Sequence, residues 1–231
     1  MVIVGITDIH GDVRALDRMH ADLAAADLVI VCGDLTSFGD RKEAERVVEA
    51  IRTRCKRLFA VPGNCDTPQA AQYLEYTGVA LHARSCIVEG IAFVGIGGSL
   101  PCIGRTPTEY TEVQLADFLT RAAENVPPDA PMVLVSHEPP FDTHVDNAHY
   151  GGHVGSISVR SFIESRSPLL CLCGHIHESH GADAIGTTRI VNPGPLRDGR
   201  YAYAELSNKL DALEIRSCLE RRDFRCTGYK K

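Results

Sequence analysis

Val2-Ile3-Val4-Gly5-Ile6 runs straight into Thr7-Asp8-Ile9-His10-Gly11-Asp12. An unbroken apolar run of this length predicts a strand buried on both faces, and the polar, glycine-bearing stretch behind it predicts a strand-end loop. Asp12 then opens an expected helix with Val13, Leu16, Met19 and Leu23 along one side. The alternation recurs twice. A strand over 28–31 ends in Gly33-Asp34 and leads to a helix over 43–51. A strand over 58–61 ends in Gly63-Asn64-Cys65-Asp66 and leads to a helix capped by Thr67, with Pro68 in its first turn. In such a βα layout the loops gather on one sheet edge, where open α/β sheets place their ligands.

Beyond Gly78 the pattern changes. A hairpin is expected over 86–89 and 91–95, about a Glu-Gly turn. A helix over 110–124 carries Val113, Leu115, Phe118 and Leu119 broadly on one side. After a buried strand over 132–136, the polar stretch 137–156 is long for a mere connection and reads as a lid or pocket wall. A helix over 158–165 and a strand over 169–173 follow, then strands over 188–191, 201–206 and 210–215. The expectation is a single domain, 1–217, built on two sheets. A solvated tail, 218–231, would carry Arg221, Arg222, Arg225, Lys230 and Lys231.

The 231 residues are 44% hydrophobic and 23% charged, ordinary for a globular chain that needs no disulfide or metal staple. Thirty acidic residues against 24 basic ones leave no surplus of positive charge for counterion release, so general nucleic-acid binding is not expected. The nine cysteines are scattered, mostly through apolar runs, as reduced core thiols of a cytoplasmic protein would be. No apolar run approaches the ~20 residues that span a bilayer, so no membrane partner is expected.

Asp8, His10, Asp34, Asn64, His137, His175 and His177 all fall at or just after the ends of the expected buried strands. Each alone has a structural explanation as a cap, a turn residue or a hydrogen-bonded histidine. Together they form a set of carboxylate, amide and imidazole donors that suits manganese, iron, zinc or related divalent ions. Two cations about 3.5–4 Å apart need an anion between them, and Asp34 is the candidate bridge.

Asp8-Ile9-His10, Gly33-Asp34, Gly63-Asn64-Cys65-Asp66, Ser136-His137 and Gly174-His175-Ile176-His177 resemble, in order, the five motifs of the calcineurin-like metallophosphoesterases. The resemblance implies a four-layer α/β/β/α sandwich of two mixed sheets and a dinuclear centre. One ion would be held by Asp8, His10, Asp34 and His177, the other by Asp34, Asn64, His137 and His175. Manganese is the first choice of metal, with iron, zinc, nickel or magnesium as alternatives. The reaction implied is hydrolysis of a small-molecule phosphate ester by a metal-bridging hydroxide.

Cys65 departs from the family's usual histidine and is similar to a small bacterial and archaeal phosphodiesterase-like branch. A thiol is a poor substitute for imidazole as an acid. The expected substrates are therefore phosphodiesters, or monoesters with good leaving groups, and Cys65 reads as a packed thiol. A protein or small-molecule phosphomonoesterase is the alternative enzyme. A non-catalytic scaffold of the same fold is the alternative of another class. His153, just before the expected helix, and His149 are the candidates for a general acid or a contact to substrate phosphate, with His144 in the same loop. Gly95-Ile96-Gly97-Gly98-Ser99 would let backbone approach the pocket, and Asn192-Pro193-Gly194 reads as a turn.

Overall fold

In the computed structural model, which describes residues 1–149 and 152–219, β1 (Val2–Ile6) lies at the centre of a five-stranded sheet. β2 (Leu28–Cys32) and β3 (Leu58–Val61) extend it in parallel on one side. On the other side β10 (Arg200–Leu206) runs antiparallel to β1, and β11 (Leu210–Ser217) antiparallel to β10. A second sheet has the order β4 (Arg84–Val88), β5 (Ile91–Ile96), β6 (Met132–Ser136), β7 (Leu170–Leu172), β9 (Thr188–Asn192), β8 (Gly181–Ile185). Its four inner strands are parallel and both edge strands antiparallel.

The apolar runs are continuous because alternate residues serve different cores. Ile3, Leu28, Ile30, Phe93, Val133, Val135 and Leu172 point between the sheets. Val4, Val29 and Val31 point outward, onto α1 (Arg14–Arg18), α2 (His20–Ala25), α3 (Arg41–Arg52) and α4 (Pro68–Tyr76). Val94, Ile96 and Leu134 point the other way, onto α5 (Glu112–Ala123) and α6 (Ile157–Arg166). Three stacked cores give four layers, the expected α/β/β/α sandwich. Full burial of one such Leu, Ile or Phe is worth about 1.5–3 kcal/mol.

Caps set the helix starts. The Asp40 carboxylate accepts from Lys42 and Glu43 N–H, Thr67 from Ala70, and Ser156 from Val159, while Thr111 and Gln114 form a reciprocal capping box.

Several expectations need correction. The helix expected after Asp12 is two short ones, broken at Met19, and the Asp12 carboxylate binds Arg14 through both its backbone N–H and its guanidinium. Val13 caps α1 with no side-chain bond. Val113 is 78% exposed; only Leu115 and Leu119 of the expected side are buried. Strand β8 was not expected, since Gly181-Ala182-Asp183-Ala184 has too little apolar bulk to signal a strand. Cys218, placed in the tail, is buried, and its N–H donates to Gly199 O. The basic residues from Arg221 onward lie outside the described residues. Among the described residues, no helix is long and apolar enough to cross a membrane, and eight cysteines carry free thiols.

Candidate metal centre

The loops behind β1, β2, β3, β6 and β7 meet at one rim of the sandwich. They come from both sheets, not from the edge of one as expected. Asp8, His10, Asp34 and His175 all adopt left-handed backbone, with φ of 53°, 48°, 48° and 68°. Backbone bonds impose this: Asp8 N donates to Gly33 O (3.1 Å) and His10 N to Asp34 O (2.9 Å), stitching the first two loops together. Glycine is required where the loops touch. A Cβ on Gly33, itself at φ 91°, would strike the His137 ring, and one on Gly63 would strike the Asp34 carboxylate.

Asp8 is 1% exposed. Its Oδ2 accepts from Thr7 Oγ1 (2.8 Å) and from His175 N (3.2 Å). Its Oδ1, equally buried, receives no hydrogen bond of sound geometry, although His177 Nε2 lies 3.3 Å away. Burial would raise this carboxyl; the contact with His177 and the charges of His137 and His177 outweigh it and hold the group to about 2. Asp34 Oδ1 accepts from Cys65 N (2.8 Å) and lies 3.5 Å from His137 Nε2, while Asp34 Oδ2 is 3.7 Å from His10 Nε2.

His137 is fully buried. Its Nδ1 is 2.7 Å from Cys32 O and must donate to it, which leaves the Nε2 lone pair of the neutral ring facing Asn64 Oδ1 at 3.0 Å. Burial would lower its pKa, but Asp34 and Asp8 raise it. His10 is placed similarly, with Nδ1 3.2 Å from Ser37 Oγ and Nε2 3.3 Å from His177 Nε2. Burial lowers His10 against the pull of Asp34 and Asp8; the Asp8 contact raises His177 against burial. Lone pairs and carboxylate oxygens thus converge on the same space, an arrangement that is unfavourable unless positive charge fills it.

Three overlapping sets bring their ligand atoms within 4.8 Å of one another: Asp8, His10 and His177; His10, Asp34 and Cys65; and Asp8, Asp34 and His137. Asn64 joins through its contact with His137. The His175 ring lies tilted against His137, with ring centres 5.1 Å apart, but its Nε2 turns toward Cys102 Sγ at 3.6 Å. Burial, with the neighbouring His137, lowers its pKa to about 3. Cys65 is half-buried, with its Sγ within 4.8 Å of ligand atoms of His10 and Asp34.

The three loop histidines occupy different settings. The His153 ring is taken by carboxylates: Nδ1 is 2.7 Å from Asp146 Oδ1 and Nε2 3.5 Å from Asp142 Oδ1. His149 is exposed, with its backbone N–H on Glu178 Oε1 (3.0 Å), next in sequence to His177. The His144 backbone is tied to Asp183, on β8.

Two positioning residues escaped the sequence reading. Asp66 is wholly buried and accepts from Gly63 N, Leu35 N, Thr36 N and Thr36 Oγ1, clamping the Asp34 and Asn64 loops together. Burial and the nearby Asp34 push its pKa up to about 6. Asn192, read as part of a turn, is buried; its amide donates to Gly174 O and Ile176 O and so fixes the loop that carries His175 and His177. Its partners lie 18 and 16 residues away, beyond any local pattern. The Gly95–Ser99 glycines serve packing: a Cβ on Gly97 would strike Pro62, at the end of β3.

A family model described as calcineurin-like phosphoesterase matches residues 1–179. An uncharacterised protein of Methanocaldococcus jannaschii is 40% identical over 200 residues, covering 84% of this chain and 88% of that one. A Rhodopseudomonas palustris protein named a probable cyclic nucleotide phosphodiesterase is 25% identical over 173 residues, or 71% of this chain and 61% of its own. Among solved structures, a dimetal phosphatase of Danio rerio superposes with a TM-score of 0.60 at 14% identity, covering 94% of this chain and 96% of that one.

Proposed function

The chain belongs to the calcineurin-like phosphoesterase family, a family of metal-dependent hydrolases, and from that footing we propose that it cleaves phosphodiesters, or monoesters with good leaving groups, at a centre of two divalent ions. The observation that carries the reading is the convergence of potential ligand atoms: Asp8 Oδ1, buried with no hydrogen-bond partner, the facing His10 and His177 nitrogens at 3.3 Å, and His137 Nε2 at 3.0 Å from Asn64 Oδ1. Asp8, His10, Asp34 and His177 would hold one ion. Asp34, Asn64, His137 and His175 would hold the other, His175 by turning from Cys102. Manganese suits this mixture of oxygen and imidazole donors. When bound, the ions supply an acidified water and positive charge for the phosphoryl oxygens.

The chain's own residues do the rest. Asp34 supplies the negative charge that lets two cations approach. Cys32 O, which can only accept, sets the tautomer of His137 so that its Nε2 faces inward, and Ser37 Oγ pairs with His10 Nδ1 and leaves His10 Nε2 toward the cluster. Cys65 stands where an acid for the leaving group would be, which favours leaving groups that depart as anions. The relative named a cyclic nucleotide phosphodiesterase supports the diester reading. Of the two loop histidines, His149 is assigned to substrate phosphate, since the His153 ring is held by Asp146. Residues 1–217, with Cys218 packed onto them, are taken as the functional domain, and the free thiols support a cytoplasmic setting.

The test is metal content and turnover of bis(4-nitrophenyl) phosphate in the natural chain and in Asp34→Asn. The natural chain should bind two equivalents of manganese and hydrolyse the diester. Asp34→Asn should hold less than one equivalent and lose activity. Full activity with full occupancy in that variant would overturn the dinuclear reading.

A further inference from the structure

Beside His175 a cleft of about 270 Å³ opens between two loops. Leu100, Cys102 and Ile103 line it from one loop, Ala148 and Val154 from the other, and His175 completes the lining. The Ile103 side chain is fully exposed and Val154 is 41% exposed, so two branched apolar side chains stand in water at the mouth.

Hydrogen bonds hold described residues on both walls. Leu100 N donates to Glu138 Oε2 (2.8 Å), and Glu109 Oε1 accepts from Cys102 N (3.2 Å), Thr106 N (2.7 Å) and Thr106 Oγ1 (2.7 Å). On the far side Val154 N donates to Asp146 O (3.0 Å). A preformed apolar hollow that shares a side chain with a catalytic centre is what an organic substituent of a ligand requires.

We propose that this cleft seats an uncharged apolar group, one aryl ring or a short branched chain, of a phosphate ester whose phosphoryl group lies at the metal centre. The placing of the phosphoryl group rests on the proposed function above. Size supports one ring: a cavity of roughly 150 Å³ already holds benzene. Chemistry supports an apolar group, because the polar side chains on the wall are occupied. Glu138 is engaged by Leu100 N, and Cys102 Sγ lies 3.3 Å from Ser99 Oγ and 3.6 Å from His175. Sugar hydroxyls would find few side-chain partners there. The hollow lined by Arg14, Arg18 and Arg197, elsewhere on the surface, offers charge instead.

The test uses the full chain, loaded with zinc and carrying labelled Ile and Val methyls, with phenylphosphonate, methylphosphonate and neutral benzyl alcohol as probes. Phenylphosphonate should bind about tenfold tighter than methylphosphonate and shift the Ile103 and Val154 methyl signals. Ile103→Asp and Val154→Asp, both at exposed positions, should each erase most of that preference. Equal binding of the two phosphonates with those methyls unmoved would overturn the cleft while leaving the phosphoesterase reading intact. If neither phosphonate binds, the phosphoesterase reading falls and the substrate seat falls with it. A benzyl alcohol shift at Ile103 and Val154 would then show that the failure lay at the metal centre and not in the cleft.

Discussion

Asp8, His10, Asp34 and His175 each hold a backbone conformation that costs a non-glycine residue on the order of 1–3 kcal/mol. Glycine would relieve the cost and remove the side chain, so the strain accompanies the side chains the site needs. Cys65, between Asn64 and Asp66, is where a single substitution is most informative. Cys65→Ala should keep most diesterase activity, with a modest loss of stability. Cys65→His should place an imidazole near the leaving oxygen, and a positioned acid contributes about 10²–10⁴-fold. Turnover of alkyl esters should therefore rise more than that of nitrophenyl esters, compared as a ratio within the one variant. An equal response of both ester classes would place the acid elsewhere, with His149 next to be changed. The seven candidate ligands were legible because each follows an apolar run and carries a donor atom. Asp66 and Asn192 were not, because their importance lies in bonds to segments that only the folded chain brings near.

The start of helix α4 was readable to the residue, since Thr67 and Pro68 together fix it. The break at Met19 and strand β8 were not: nothing in the apolar spacing interrupts the first, and almost nothing apolar marks the second. His82, between α4 and β4, shows how packing between elements creates a titration. Its Nδ1 accepts from Gly97 N (2.9 Å), and its ring stacks on Tyr110 and meets the edge of Phe118. Burial lowers its pKa to about 4. The unfolded chain takes up this proton near the ordinary value of about 6.5 and the folded chain only near 4. Stability is therefore whole above pH ~6.5 and drains away as pH falls toward 4. His82→Gln keeps an acceptor for Gly97 and does not titrate. Thermal melts between pH 7 and 4.5 should show the natural chain losing on the order of 2 kcal/mol more than the variant. Parallel losses in the two would refute the assignment.

Because the rim draws its donors from both sheets, ions bound there would tie the two halves of the sandwich together. A ligand at a hundred times its Kd stabilises by about 2.7 kcal/mol. In a domain of this size that is worth roughly 5–10 °C in Tm. Chelation should lower Tm by that amount, and it should speed hydrogen exchange at Asp8, Asp34 and His175 far more than in α3 or α5. A uniform rise in exchange would mean that the ions act on the fold at large. The two-sheet architecture was legible from the strand runs, yet which strand ends belonged to which sheet was not, since pairing is settled by long-range registry. That same distance has a consequence in time. His10 and His177 face each other across 167 residues of intervening chain. Contacts of such separation are slow to close, and the local helices form long before them. A ribosome must release the segment behind β7 before the rim can be complete, and a chain ended short of His177 lacks a ligand of the first ion. In refolding, helical signal returns first and turnover arrives afterwards, as a single late step.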